Sequence, residues 1–221
     1  MWKTRLLVLG LVRWLGPVHG YDVHQQILAW GFGESGTVKA GSIYHSLKKL
    51  TSQSLVEVTS TEQLSGKPAR TSYRTTAAGD AEFHRLLRDR LWDSKISDSD
   101  FGIAWTMAPA LSPPEAVAIL RHRAAILTDL MDKCTGRIAS SANPQSEPDD
   151  NPDYLPPHMR ALLRLGIHQR AVAADWCEEV ANQIESGELD LARDPSEEEA
   201  REWRERISRY RIKNSTRETS H

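Results

Sequence analysis

The stretch "AGSIYHSLKKL", residues 40–50, holds the most suggestive spacing in this 221-residue chain. Wound as a helix at about 100° per residue, it puts Ile43, Leu47 and Leu50 on one narrow stripe. Ser42, His45, Lys48 and Lys49 fall on the other side, with the small Gly41. One face asks for a protein core. The other offers cations that can neutralise phosphates and release counterions, and short polar groups sized for the edges of bases. A plainly solvated surface is the alternative. Charge along the chain bears on the choice. Residues 1–92 hold 12 lysines and arginines against 7 aspartates and glutamates, a net of +5, while the remainder holds 16 against 23, a net of −7. A basic first half joined to an acidic second half points to a polyanion at the first alone.

Other chemistries find little footing. No nucleophile elbow, phosphate-cradling glycine loop or His-Glu zinc motif is present, so an enzyme is not expected and no cofactor is implied. His19, His24, His84, His122 and His168 are scattered without metal-ligand spacing. Cys134 and Cys177 form neither a disulfide framework nor a Cys-x-x-Cys pair. They read as small buried apolar residues in a reducing cytoplasm, with a redox pair as the rival. The opening "MWKTRLLVLGLVRWLGP" imitates a signal peptide. Its apolar run is short, Arg13 follows at once, and a buried helix ending before Pro17 fits better. No run approaches the ~20 apolar residues of a membrane span.

The elements that must position the cationic face follow from periodicity. A first helix is expected over about residues 2–15, then a turn at "LGPVHGYD", then a short helix "VHQQILAW" with Asp22 as its N-cap. The residue 40–50 segment becomes a third helix, from about Val38 to Ser52. "LVEVTSTE" and "RTSYRTT" alternate instead, around the turn residues of "LSGKPA", which makes a hairpin with a Lys67–Arg70 tip. "AAGDAEFHRLLRDRLWD" returns to helical spacing. Helix, helix, helix, hairpin, helix is the order of a winged helix-turn-helix, whose third helix enters the major groove while the hairpin tip touches the backbone.

The second half reads as helical. Ser112, Pro113 and Glu115 open a helix strongly. Val117, Leu120, Ala124, Leu127, Met131, Cys134 and Ile138 then repeat at spacings of three and four, a heptad seam. A linker rich in proline, serine and aspartate is expected near 139–157. A second long helix from His158 to about Ser186 carries Met159, Leu162, Gly166, Ala173, Trp176 and Val180 on one stripe. Ser196 and Glu199 form a capping box for a last helix whose apolar stripe is Trp203, Ile207 and Tyr210. Two seamed helices can pack on each other and on a second copy about a two-fold axis.

These segments resemble a known family. "GPVHGYDVHQQI" is similar to the Gly-Pro-Leu-His-Gly-Tyr-Glu segment of PadR-type transcriptional regulators. "AGSIYHSLKKLTSQSLV" resembles their recognition segment, and "RTSYRTTAAGDAEF" their wing and the start of the next helix. Departures are His45 where the family has proline, Ala40-Gly41 for Pro-Gly, Lys39 at the usual serine cap, with Thr37 as the fallback cap, and Ser54 at the closing glycine. The fold expected is mainly α: a winged helix-turn-helix with a small β-hairpin wing over 1–92, a helical dimerisation domain over 93–186, and a charged C-terminal helix and tail over 187–221. The resemblance, to the longer subgroup, implies a homodimeric repressor reading a pseudo-palindromic operator on double-stranded DNA in the cytoplasm, at the nucleoid. Its DNA-binding residues would be Lys39, Ser42, Tyr44, His45, Lys48, Lys49, Lys67 and Arg70. It further implies a flat aromatic effector, for which Trp92, Trp105 and Trp176 offer stacking faces; core packing is the plainer role for them. The rival reading is a protein–protein interaction module on a winged-helix scaffold that no longer reads DNA.

Overall fold

The computed structural model describes residues 2–32, 38–62, 70–141, 154–191 and 195–218, apart from the side chains of Ala40, Glu62 and 208–218. The chain divides into two compact units. One comprises Met1–Leu91, Ser99–Ala110 and Ala192–His221, and the other Trp92–Asp98 and Leu111–Leu191. Relative to boundaries expected at 92 and 186, residues 99–110 and the last helix join the N-terminal unit.

Helix α1 (Trp2–Leu15) stands at the centre of the first unit. Leu6 through Val12, Trp14 and Leu15 are all buried, because α2 (Gly20–Ala29), α3 (Ala40–Ser52), the strand β3 (Arg70–Thr75), α4 (Ala77–Leu91) and α8 (Glu197–Glu218) all pack on it. A helix apolar all round is a core helix, which accounts for the leader-like run. Ile43, Leu47 and Leu50 of α3 are fully buried, as the spacing requires. β1 (Val18–His19) and β2 (Val56–Glu62) flank β3 in an antiparallel sheet of order β1-β3-β2, with Val18 opposite Tyr73 and Val56 opposite Thr75. The short β1 is an addition to the expected hairpin, made from its pairing with β3. Helix α2 begins at Gly20, with His19 at the N-cap position. Asp22 is therefore not the cap but lies in the first turn, where a carboxylate suits the positive end of the helix dipole.

The corner after α3 shows how tightly this unit is built. Leu55 N–H donates to the Leu50 carbonyl and Ser54 N–H to the Thr51 carbonyl, each at 3.0 Å, the paired bonds of a Schellman close. Ser54 takes φ 57° there, a left-handed conformation that favours glycine. The Thr76 hydroxyl donates to the Ser54 carbonyl at 2.8 Å and accepts from Gly79 N–H at 3.1 Å, capping α4. A Cβ on Gly79 would lie 1.9 Å from the Leu55 carbonyl oxygen. At the far end, Ser196 and Glu199 cap α8 reciprocally, backbone to side chain, at 2.7 and 3.2 Å.

The second unit is built on an antiparallel pair, α6 (Pro113–Ser141) and α7 (Pro157–Ser186), tied near one end by Arg121 and Glu185 at 2.6 Å. Val117, Leu120, Ala124 and Leu127 are buried along the expected α6 seam, and Met131, Cys134 and Ile138 continue it half-buried. On α7 the buried stripe lies elsewhere than expected. Ala174, Cys177, Ala181 and Ile184 are buried, one residue on from the Ala173, Trp176, Val180 stripe, of which Val180 alone is buried. The cause is that α7 carries two apolar stripes, and α6 takes the one with the smaller side chains. Met159, Leu162, Leu165, Val172 and Trp176 are left exposed, Leu162 at 57% and Val172 at 70%. Buried Arg123 pairs with Asp98, and α5 (Asp98–Trp105) had no forerunner in the sequence pattern. The linker expected near 139–157 falls mostly on 142–153, outside the described residues.

Two expectations follow. Replacing Ser54 with glycine relieves a left-handed strain of about 1–2 kcal/mol while adding ~0.5–1 kcal/mol of unfolded-chain entropy. Denaturant unfolding of Ser54→Gly should therefore show a small gain, up to about 1 kcal/mol, whereas Gly79→Ala should lose more than ~2 kcal/mol by overpacking. Burial pushes the Cys177 thiol up to about 11, so it stays neutral and unreactive at pH 8. Iodoacetamide at that pH should label the half-buried Cys134 first, and equal rates would contradict the seam.

Candidate nucleic-acid interface

The exposed side of α3 carries Tyr44, His45, Lys48 and Lys49, with Lys39 exposed just ahead of the helix. Its apolar stripe holds this side outward. Tyr44 and Leu47 rest on Gly20, the first residue of α2, where a Cβ would lie 2.9 Å from Leu47 Cδ1 and 3.1 Å from Tyr44 Cε1. Partial burial, and then Tyr21, Tyr73 and Asp22 nearby, hold the Tyr44 phenol above its ordinary range. At neutral pH it is an O–H donor. Ser42 differs from expectation in one respect. Its hydroxyl donates to the Lys39 carbonyl at 2.6 Å, so the proton serves the helix start and the oxygen lone pairs remain for a ligand. His19 Nδ1 lies 3.1 Å from the Ser72 hydroxyl, which joins β1 to β3 and keeps the sheet beside α3.

The electrostatic pattern separates two kinds of cation in this unit. Lys3, Arg5, Arg13 and Arg85, on α1 and α4, are matched: Lys3 with Asp100 at 2.5 Å, Arg5 with Glu82 at 3.1 Å, Arg13 with Asp80 at 2.5 Å, and Arg85 with Glu82 and Asp89 at 2.8 and 2.5 Å. Hydrogen bonding from Arg85, with Arg5 adding, holds the Glu82 carboxyl below its usual range. By contrast Lys39, Lys48, Lys49, Arg70 and Arg74 make no ion pair with a carboxylate among the described residues. All five lie on or next to α3 and β3. Arg74, exposed and in register opposite Glu57, is absent from the sequence-based set. The alternation of "RTSYRTT" held the signal for it, masked by attention to the hairpin tip. Of that tip, Arg70 is half-exposed at the start of β3, and Lys67 lies outside the described residues.

The three tryptophans are distributed. Trp92 and Trp176 belong to the helical unit and are about two-fifths exposed, with the Trp92 ring 5.1 Å from that of His122. Trp105 belongs to the first unit, stacked on Phe101 at 5.8 Å with 13° between planes. A cleft of about 460 Å³ opens between α6 and α7 over Ala124, Ala125 and Ala174, rimmed by Asp132, Asp175 and Glu178. No group of three or more His, Cys, Asp or Glu among the described residues could hold a metal ion. No helix among them is long and apolar enough to cross a membrane.

Comparison with known proteins follows from this geometry. Residues 8–85 match the model of the transcriptional regulator PadR-like family. That segment runs from within α1 through α2, α3 and the three strands into α4. No curated protein matches the chain. Among solved structures it is similar to Bacillus subtilis PadR in complex with operator DNA, at 22% identity and TM-score 0.35, covering 81% of this chain and 98% of the other. It is similar also to Bacillus subtilis PadR in complex with p-coumaric acid, at 20% identity and TM-score 0.35, covering 83% and 99%. Over residues 8–85 the chain is thus similar to the transcriptional regulator PadR-like family.

Proposed function

We propose that the protein is a homodimeric repressor that reads a pseudo-palindromic operator in double-stranded DNA, in the cytoplasm and at the nucleoid. One observation carries the reading. Lys3, Arg5, Arg13 and Arg85 in the first unit are neutralised at 2.5–3.1 Å, while Lys39, Lys48, Lys49, Arg70 and Arg74, on and beside α3 and β3, make no ion pair with a carboxylate among the described residues. Such a face gains most from phosphates, whose counterions it releases. Lys39, Lys48, Lys49, Arg70 and Arg74, with Lys67 at the tip, would hold the backbone. Tyr44 would donate to a phosphate, and His45 and Ser42 would address base edges. The reaction is occupancy, not catalysis: the bound dimer blocks a promoter sterically.

Dimerisation is supported by the uncovered stripe of α7. Met159, Leu162, Leu165 and Val172 form an exposed apolar ridge at helical spacing on α7, and a second copy about a two-fold axis would cover it. A two-fold pair can place two reading helices one DNA turn apart, ~34 Å. Release would come from a flat aromatic effector that favours a dimer geometry with the wrong spacing by a few kcal/mol. Trp92 and Trp176 on the helical unit, and Trp105 on the other, are the stacking faces on offer. The acidic cleft between α6 and α7 is a poor seat for an anionic one.

Selection of bound duplexes from a random pool tests the reading, and an enriched inverted repeat is the expected result. Lys48→Ala and Lys49→Ala should each weaken binding to enriched and random duplexes alike and lower the salt slope by about one unit. His45→Ala should change which bases are preferred. No enrichment with the intact chain would overturn DNA reading. For the dimer, Val172→Glu should sediment as a monomer with unchanged helix content, because the side chain is 70% exposed within one chain and its charge offends only a partner. A wild type that is monomeric at micromolar concentration would overturn the two-fold mechanism.

A further inference from the structure

Helix α8 follows the α6–α7 pair in the chain, yet it belongs to the unit that carries α3. Its attachment is specific. The Trp203 indole N–H donates to Oε1 of Gln26, a buried residue of α2, at 2.9 Å. The Trp203 ring lies 6.3 Å from Trp14, near the end of α1, and 6.4 Å from Trp30, which closes α2. Next along the helix, Arg204 donates to the Leu15 carbonyl at 2.9 Å and reaches the Pro17 carbonyl at 3.4 Å. Leu15 is the last residue of α1, where free carbonyls and the negative end of the dipole favour a cation. Ala200 and Ile207 complete the buried stripe.

These anchor points share a place in the architecture. Pro17 leads into β1, which pairs with β3. Gln26 and Trp30 mark the far half of α2, whose first residue, Gly20, is the seat of Tyr44 and Leu47 of α3. Helix α8 therefore grips α1, α2 and the lead into β1, the elements against which α3 and β3 are set. Direct phosphate contact does not suit its docked half. Glu197, Glu198, Glu199, Glu202 and Glu205 outnumber Arg201, Arg204 and Arg206.

We infer that Trp203 and Arg204 are positioning residues for DNA reading: with α8 docked, they fix α2 and β1, and through them the set of α3 against β3. The inference rests on the DNA-reading function proposed above. Contacts to base edges tolerate displacements of only about 0.5 Å, whereas long lysines follow a phosphate through larger shifts. Undocking should therefore cost specificity before it costs general affinity.

The test measures binding of the full chain to the enriched duplex and to a scrambled duplex, with sedimentation and thermal unfolding alongside. Trp203→Ala should bind the enriched duplex about tenfold or more weakly while its affinity for scrambled DNA changes little, so the ratio falls. Trp203→Phe, which keeps an aromatic ring but loses the N–H and part of the indole surface, should recover part of the ratio. Arg204→Ala should lower it less, in the same direction. A ratio unchanged in Trp203→Ala overturns the inference, as does an equal loss on both duplexes in step with the folded fraction. If Trp203→Ala does not fold, Arg204→Ala answers by the same ratio, and no change in it overturns the inference. A wild type that prefers no duplex overturns the DNA-reading proposal and this one together. A wild-type preference that survives in the variants overturns this one alone.

Discussion

The burial of α1 on every side is the constraint on which the reading unit depends. Leu6, Leu7, Leu9, Leu11 and Leu15 are fully buried. Each contributes about 1.5–3 kcal/mol by leaving water, a gross sum comparable to the net stability of a whole domain. A helix can be covered in this way only if elements from distant parts of the chain surround it. The reading helix, the wing strand, α4 and the C-terminal helix meet on that one cylinder. The exposed face of α3 is thus held from behind by its own apolar stripe packing on a rigid centre.

With the core fixed by apolar contacts, charge is left to set function. Glu82 lies between Arg5 and Arg85, and Asp80 takes Arg13, so these cations of α1 and α4 are offset where they stand. Those surface pairs add little to stability, about 0–1 kcal/mol each. Their consequence is spatial. They offset Arg5, Arg13 and Arg85 away from α3 and β3, while Lys39, Lys48, Lys49, Arg70 and Arg74 make no ion pair with a carboxylate among the described residues. The chain's overall charge of −2 hides this completely. The helical unit follows a parallel logic with apolar surface: α6 covers one stripe of α7, and Met159, Leu162, Leu165 and Val172 stay exposed.

Elements with one strong period were legible in the sequence. The apolar run of α1, the Ile43–Leu47–Leu50 stripe, the α6 seam and the Ser196–Glu199 box each settle in the structure as their spacing demands. What escaped depends on partners far away in the chain or on competition between equals. β1 is two residues long and exists only because β3 lies beside it. On α7 two stripes differ by a single residue in phase, and spacing alone cannot say which of them meets α6. Arg74 is visible as a cation in an alternating segment, yet its lack of a partner is a fact of three dimensions. The seat of Trp203 on Gln26 joins residues 177 apart, and no local pattern announces it.

The central claim is that α3, with its neighbouring strand, is the surface that meets DNA. Its most direct measurement is reductive methylation of lysines, quantified by mass spectrometry with and without the selected duplex. Lys39, Lys48 and Lys49 should become protected while Lys3, Lys95 and Lys133 react as in the free protein. Protection spread evenly over all lysines, or centred on Lys95 and Lys133 with the α3 lysines still reactive, would contradict it.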